Sequence, residues 1–379
     1  MCICVHLWSV FLKIQPRSVH NGKNEMKAGI VGFPKVGKTT LFNILTRGHA
    51  KTSRFSAKKA VNLGVAEVPD DRLEKLHDLI QPKKKTLATT EFVDMVGVTR
   101  GEIKNTEYLA HLRSVDCLLH VVRAFEDPEL GIGASDLHPH EDIQEFNLEL
   151  ILADMEVIHN RLEKLRQLVK KVKNKENEDE LALLERCAVD IEKEKPLREM
   201  ALDPNERKRL RSFSFLSEKP LLHIINLSED RLSSRDEYLS KALAENQEIT
   251  YVCGPLEEQI GELPLEERKE FMEQYGFRES GRDRVIRTTF HLLDLILFFT
   301  AGPEEVRSWP LRRNTNAQKA AGTIHSDMER GFIRAEVVAF EDFLRAGSFA
   351  ETRKQGTFRL EGKEYIVQDG DIITFRFNV

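Results

Sequence analysis

The sequence predicts an α/β fold with a mainly parallel sheet, an inserted antiparallel helical hairpin and a small C-terminal α+β domain. Short, continuously apolar runs recur with helix-length segments between them, which is typical of βαβ units. A seam of apolar residues at spacings of three and four interrupts this alternation in the middle of the chain. After residue 302 the pattern changes again, to short strand-like pieces around one helical stretch.

Length and composition limit the class of protein. The 379 residues are enough for two or three domains, and a net charge of −5 does not indicate a nucleic-acid partner by itself. The five cysteines show no metal-like pairing, so a reduced, cytoplasmic protein is expected. The apolar stretch within residues 1–25 is short for a membrane span and lacks a preceding basic region, so no membrane partner is expected. We interpret residues 1–25 as an extension outside the fold.

The α/β domain is predicted in two parts, residues 26–146 and 208–290. Most of its strands should be buried on both faces, because they are continuously apolar instead of alternating. The predicted strands are Ala28–Val31, Glu91–Val93, Cys117–Val122, Leu221–Ile225 and Ile249–Val252.

Residues 147–207 are predicted to form the helical hairpin. The polar run 173–180 should break the first helix, and a second helical stretch continues through Leu184, Ala188 and Ile191. The alternative is a pair of ordinary amphipathic helices on the domain surface. The apolar seam of the first helix consists of Leu148, Ile151, Met155, Ile158, Leu162, Leu165, Val169 and Val172.

Residues 291–379 are predicted to form a small separate α+β domain. Helical signal covers Ala317–Arg330. The tail Glu364–Phe375 is predicted to form two strands around the Asp369-Gly370 turn.

A phosphate-binding motif directly follows the first predicted strand. Residues 32–39, GFPKVGKT, match G-x-x-x-x-G-K-[ST], and an apolar-periodic helix should follow. Gly32 and Gly37 permit the backbone angles that turn N–H groups around a phosphate. Lys38 reaches the β- and γ-phosphates, and the Thr39 hydroxyl ligates Mg²⁺. The alternative is an ordinary glycine-rich turn. Residues predicted to contact the nucleotide here are Lys35, Val36, Gly37, Lys38, Thr39 and Thr40.

A second motif ends the strand Glu91–Val93. Asp94 is followed three residues later by Gly97, the D-x-x-G pattern in which the carboxylate holds Mg²⁺ and the glycine N–H contacts the γ-phosphate. A turn that merely terminates the strand is the alternative. The predicted catalytic residues are therefore Lys38, Asp94 and Gly97, with Thr39 and Asp94 as metal ligands.

A third motif ends the strand Leu221–Ile225 and concerns the base of the nucleotide. GTP-binding proteins of this class carry N-K-x-D there, whereas this chain has Asn226, with Leu227 in place of lysine and Glu229 in place of aspartate. These changes remove two elements of guanine recognition and favour ATP over GTP. The alternative is a strand end whose Ser228 caps the next helix.

These motifs resemble the Obg-like ATPase (YchF) family over Met26 to Val379, and the matching stretches include MKAGIVGFPKVGKTTLFNIL, EFVDMVGV, HVVRAFEDP, NLSED and GDIITFRFNV. The resemblance implies a P-loop hydrolase of the translation-factor GTPase class that prefers ATP, with Mg²⁺ as cofactor. It also implies association with the ribosome, through its large subunit, and a C-terminal TGS domain of β-grasp type. RNA contacts through the hairpin and the TGS domain are expected on the same basis.

The chain departs from the family at several positions. Lys35 replaces a loop asparagine that supports an activating potassium ion, and Lys58 stands where the first switch segment has a metal-binding threonine. Ile132 aligns with a loop histidine that family members offer in place of a water-orienting glutamine, and His138 and His140 lie nearby. A solvent-facing loop is the alternative role for both histidines.

Two functions of different classes follow from these residues. The first is an ATP- or GTP-hydrolysing switch protein, and the second is a nucleotide-gated binding module with negligible turnover, which the altered switch segments favour. A metabolic kinase would need acid/base residues at a phosphate-acceptor site, and the sequence shows none.

Overall fold

The fold is taken from a computed structural model that describes residues 26–46, 62–95, 97, 106–172, 174–242 and 247–378. The predicted extension, residues 1–25, and Lys58 lie outside these ranges. No helix within them is long and apolar enough to cross a membrane.

The first sheet has six strands in the order β2-β4-β1-β5-β6-β7, and all neighbours are parallel except β2, which runs antiparallel to β4. The five predicted strands are confirmed, each one to three residues longer than expected. β5 and β6 are buried at every position, as their continuous apolar runs predict. The strands are β1 (Lys27–Val31), β2 (Asn62–Glu67), β4 (Thr89–Asp94), β5 (Cys117–Ala124), β6 (Leu221–Leu227) and β7 (Glu248–Val252).

Helices connect these strands, as βαβ topology requires. The parallel strands end at one edge of the sheet, so the phosphate loop, Asp94 and Asn226 meet there. The connecting helices are α1 (Lys38–Thr46), α2 (Asp71–Ile80), α3 (Thr106–Ser114), α7 (Arg235–Ala242), α8 (Gly254–Glu262), α9 (Leu265–Gln274) and α10 (Gly281–Leu292).

The predicted helical hairpin is confirmed. It consists of α4 (Pro139–Lys171) and α5 (Lys175–Glu192), and a short helix, α6 (Pro204–Leu210), lies on the return to β6. Two arginine–glutamate ion pairs join the long helices, Arg161 to Glu180 at 2.8 Å and Arg166 to Glu185 at 3.0 Å. The apolar interface between the helices includes Ile158, Leu162, Leu165, Leu184, Cys187 and Ile191.

The predicted seam is wrong at its first and last residues. Leu148 is 36% exposed and Val172 is 54% exposed. The helix begins at Pro139, and its first turns pack Phe146 and Leu150 against the core of the sheet domain, so a different face is buried there. The break between the helices is also shorter than predicted, because the Asn174 side chain accepts a hydrogen bond from the N–H of Glu176 at 2.9 Å and starts α5 within the polar run.

The second sheet has six strands in the order β11-β10-β12-β8-β9-β3. The predicted helical stretch is confirmed as two helices with a break at His325. The elements are β8 (Leu295–Ala301), β9 (Glu305–Arg312), α11 (Ala317–Ile324), α12 (Ser326–Arg330), β10 (Phe332–Ala339), α13 (Phe340–Ala346), α14 (Phe349–Lys354), β11 (Arg359–Glu361) and β12 (Asp371–Phe377).

The predicted C-terminal α+β domain has its own sheet and packs directly against the α/β domain. Its sixth strand, β3 (Lys84–Thr86), comes from the N-terminal half of the chain and runs parallel to β9. Buried residues of both sheets belong to one hydrophobic core, including Phe299 and Phe340 from the C-terminal part. Arg72 of α2 also binds the Asp369 carboxylate at 2.8 Å. The two sheets therefore form one packed unit.

The predicted tail is half wrong. Asp371–Phe377 is a strand, but Glu364–Gln368 is irregular apart from one bridge between Ile366 and Asn316. The backbone of this irregular segment is hydrogen-bonded to the start of α11, because the Tyr365 carbonyl accepts from the Ala317 N–H at 2.8 Å. The Asp369-Gly370 turn itself is present, with Gly370 at a φ of 89°.

Candidate nucleotide site

The phosphate loop lies between β1 and α1 and depends on two glycines. Gly32 has a φ of +141°, and a Cβ atom on it would lie 2.5 Å from the carbonyl oxygen of Val121. Gly37 has a φ of +97°, and its Cβ would lie 2.3 Å from Nδ2 of Asn226. Both positions therefore require glycine, for conformation and for space.

Lys38 spans this loop. Its ammonium donates to the carbonyls of Gly32 at 3.0 Å and Phe33 at 2.6 Å, and the residue is only 7% exposed. Burial lowers the Lys38 pKa to about 8, partly opposed by the charge of Asp94. A Cβ on Gly97 would lie 2.6 Å from the Lys38 ammonium, so the structure brings these two predicted residues together.

Oxygen atoms meet beside the loop. The Thr39 hydroxyl donates to the Asp94 carboxylate at 3.1 Å, and the Asn62 amide donates to the same carboxylate oxygen at 3.4 Å. Hydroxyl and carboxylate oxygens are the ligands that Mg²⁺ prefers, usually with waters and substrate phosphates completing its shell. The two predicted metal ligands therefore fit Mg²⁺.

A cleft of about 470 Å³ opens over these groups. Val36 is not among its lining residues, because its side chain is buried and its carbonyl accepts from Asn226. The cleft is lined by Pro34, Lys35, Gly37, Lys38, Thr39, Thr40, Asn62, Asp94, Met95 and Gly97.

Asn226 connects the loop to the next strand end. Its amide donates to the Val36 carbonyl at 3.1 Å, and its oxygen accepts from the Gly254 N–H at 3.3 Å, while the side chain is 6% exposed. Asn226 is not among the residues that line the cleft, and neither are the other two residues of the predicted base motif. Leu227 is 1% exposed within an apolar cluster, and the Glu229 carboxylate is exposed and accepts from the Tyr275 hydroxyl at 2.8 Å.

Lys35 has an exposed side chain at the cleft and a left-handed backbone, with a φ of 61°. Ile132 is an apolar residue of the loop that follows β5, and its backbone forms a bridge with Asp127 of the same loop. His138 and His140 are exposed and do not line the cleft, which agrees with the solvent-facing alternative.

Sequence reasoning missed a buried histidine pair behind the loop. His120 and His223 are neighbours in the register of β5 and β6, with their Nδ1 atoms 3.0 Å apart. His120 also stacks on Phe146, with ring centroids 4.0 Å apart. Burial lowers the pKa of His223 to about 3 and that of His120 well below its usual value. Only the strand register reveals this pair, since the two residues are far apart in the sequence.

Comparison with known proteins gives the same assignment for 93% of the chain. The family model described as 50S ribosome-binding GTPase matches residues 27–161, and the model for the C-terminal domain of YchF GTPases, described as a protein of unknown function, matches residues 295–378. The ribosome-binding ATPase YchF of Bacillus subtilis (strain 168) is 43% identical over 93% of this chain and 100% of its own length. The chain belongs to the YchF family.

Further relatives agree with this assignment. The ribosome-binding ATPase YchF of Haemophilus influenzae is 39% identical, with 93% of this chain and 99% of that protein covered. The solved structure of the Schizosaccharomyces pombe YchF GTPase superposes with a TM-score of 0.82 at 28% identity, covering 93% of this chain and 98% of that one. The YchF arrangement therefore includes the hairpin and the C-terminal domain.

Proposed function

We propose that this chain is a Mg²⁺-dependent nucleotide hydrolase that cleaves the β–γ bond of ATP and acts as a switch on the ribosome. The convergence of Lys38, Thr39, Asp94 and Gly97 in one cleft at the strand ends carries the proposal. Its family relatives are named ribosome-binding ATPases, which supports both halves of it.

Each residue has a defined task in this scheme. Loop N–H groups and the Lys38 ammonium bind the phosphates and neutralise charge that develops between the β- and γ-phosphates. Thr39 and Asp94 would hold Mg²⁺, which supplies additional charge neutralisation at the phosphate oxygens. Gly97 lies beside the Lys38 ammonium, and its N–H is the group that would donate to the γ-phosphate.

The test is a titration of the wild-type protein with ATP, GTP, ADP and GDP in the presence of Mg²⁺. Lys38→Ala should abolish triphosphate binding or turnover in a folded protein, because it removes the point charge on the phosphates. Lys75→Ala is the matched control, because Lys75 is an exposed lysine of α2 that does not line the cleft. Unchanged affinity and rate for Lys38→Ala would refute the site.

We infer a preference for ATP over GTP. Asn226 supports the loop, and neither Leu227 nor Glu229 offers the lysine and aspartate of a guanine site. GTP binding at least about tenfold tighter than ATP would contradict this inference.

Slow turnover without a partner has one specific observation in its favour. Among the described residues that line the cleft, Asp94 is the single carboxylate and no histidine or glutamine is present to orient water. The nucleotide-gated binding module with negligible turnover therefore stays as the second candidate function. Single-turnover hydrolysis with and without ribosomes separates the two: stimulated cleavage supports the switch enzyme, and tight binding with no cleavage in either condition supports the binding module.

We infer that the tip of the hairpin contacts RNA of the large ribosomal subunit. Lys170, Lys171 and Lys175 are exposed there, without an ion-pair partner in the described parts of the chain, beside Val172 at 54% exposure. Lysines of this kind bind phosphates with strong salt dependence. The double change Lys170→Glu and Lys171→Glu should weaken co-sedimentation with ribosomes, whereas Lys193→Glu, at the other end of α5, should not.

A further inference from the structure

Side chains from two neighbouring strands hold two successive carbonyl groups of the phosphate loop. Asn226 of β6 donates to the carbonyl of Val36 at 3.1 Å. Arg123 of β5 donates from Nη2 to the carbonyl of Lys35. Arg123 and Asn226 are themselves cross-strand partners in the parallel register of the sheet. The loop is therefore fixed at two adjacent points, and one of the supporting groups is a cation.

Lys35 is the residue of the loop that needs such support. Its φ of 61° is left-handed, a conformation that costs a residue with a Cβ atom a factor of about five or more in population. Its exposed side chain makes no hydrogen bond or ion pair with another described residue, so it does not stabilise this backbone itself. The carbonyl contact with Arg123 is the interaction that holds it.

Arg123 is in an unusual position for an arginine. The residue is 7% exposed, and its guanidinium lies 4.8 Å from the ring centroid of Phe125. Its Nη1 is buried and has no hydrogen-bond partner within the part of the chain that the structure describes. Burying a guanidinium that is incompletely hydrogen-bonded is costly, and such groups require an explanation beyond packing.

Leu227 explains why the cationic group that contacts the loop is Arg123 of β5 and not a residue of β6. This leucine occupies the lysine position of N-K-x-D and is buried in an apolar cluster, so it offers no donor to the loop. Ala124, its partner in the register, offers none either. Arg123 is one residue earlier on β5 and reaches the loop carbonyl that these two residues cannot hold.

We propose that Arg123 is a positioning residue for the nucleotide, which holds Lys35 in its left-handed conformation so that the loop N–H groups face the phosphates. This inference rests on the proposed nucleotide binding. Because the loop N–H groups cradle the α- and β-phosphates, loss of this support weakens ATP and ADP binding alike. Once the loop is occupied, the bound phosphates hold it in place, so the rate of cleavage at saturating ATP changes little.

The experiment compares Arg123→Gln with wild type. We expect affinities for ATP and ADP to fall together, by about five- to tenfold, with a raised KM and a kcat within about twofold of wild type. Arg231→Gln is the matched control, because Arg231 is another largely buried arginine that points to the Ala124 carbonyl at 3.5 Å and makes no loop contact. It should keep wild-type affinity.

A rescue distinguishes positioning from a purely structural role. Lys35→Gly removes the conformational cost at residue 35, so Arg123→Gln should weaken binding much less in a Lys35→Gly background than in wild type. A structural role would lower the melting temperature equally in both backgrounds and leave no such difference in affinity. If Arg123→Gln does not fold, Arg123→Lys serves in the same cycle, with a smaller loss because it keeps the charge.

The outcomes are separable. Wild-type nucleotide affinity in folded Arg123→Gln, or an equal loss of affinity with and without Lys35→Gly, overturns this inference and leaves the proposed function standing. Failure of the wild-type protein to bind any nucleotide overturns the proposed function and this inference with it.

Discussion

Asn226→Ala should loosen the phosphate loop from the sheet. The Asn226 side chain is 6% exposed and bridges the Val36 carbonyl, at 3.1 Å, to the Gly254 N–H, at 3.3 Å. It also fills the space above Gly37, where a Cβ would lie 2.3 Å from its amide nitrogen. Alanine removes both bonds and leaves a gap between the loop and the start of α8.

The magnitude follows from these contacts. Each neutral hydrogen bond contributes about 1 kcal/mol, and a buried polar group left without its partner costs about 1–3 kcal/mol. We therefore expect Asn226→Ala to lower the free energy of unfolding by about 2–3 kcal/mol. The part of this loss that disorders the loop should weaken ATP and ADP binding by roughly tenfold.

The assay combines urea unfolding with nucleotide titration. Asn226→Asp is the informative partner variant, because it keeps the shape and the acceptor for the Gly254 N–H but places an oxygen against the Val36 carbonyl. It should weaken binding at least as much as alanine does. Asn147→Ala is the control, since Asn147 is also buried but accepts from Arg198 at the base of the hairpin. Full ATP affinity in Asn226→Asp would refute the reasoning.

Four other results are expected. Since burial lowers the Lys38 pKa to about 8 and phosphates bind the ammonium form, ATP affinity should fall as pH rises through about 8; a flat profile between about pH 7 and 9.5 would contradict this. Hydrolysis should depend little on potassium versus sodium, and Lys35→Asn should introduce dependence. A lower rate in Lys35→Ala would indicate that Lys35 acts at the phosphates, and an unchanged rate would indicate a solvated lysine. Strong potassium stimulation of the wild-type rate would contradict both interpretations. The His223 pKa is lowered from 6.5 to about 3, so between these pH values the unfolded state binds more protons than the folded state. The free energy of unfolding should therefore fall by about 2 kcal/mol from pH 7 to pH 5, which urea unfolding can measure. His223→Leu should reduce this fall. Arg72→Ala should destabilise the protein by at least about 1 kcal/mol, because it removes ion pairs to the half-exposed Asp369 and to the nearly buried Asp70, and should hasten proteolysis between the sheets.

The local patterns of the sequence determined the nucleotide-binding half of the fold. Strands β1, β4, β5, β6 and β7 each contain an apolar run that is recognisable without knowing the neighbouring strands. The phosphate loop is a contiguous motif in which the glycines, Lys38 and Thr39 have tasks fixed by backbone geometry and charge. Asp94 was predictable because parallel strands end at a common edge, so a carboxylate after one strand must approach the loop after another.

Only the tertiary structure decided which distant residues meet. The residues of β3 are polar and partly exposed, and nothing in the run Lys84–Thr86 indicates that it completes a sheet formed more than two hundred residues later. The Arg123 contact with Lys35 and the pairing of His120 with His223 depend in the same way on strand order and register. The alternation of residues along a strand can be read from the sequence, but the strand with which it pairs cannot. Pairing depends on long-range contacts that compete with one another, and the packed core as a whole determines which of them form.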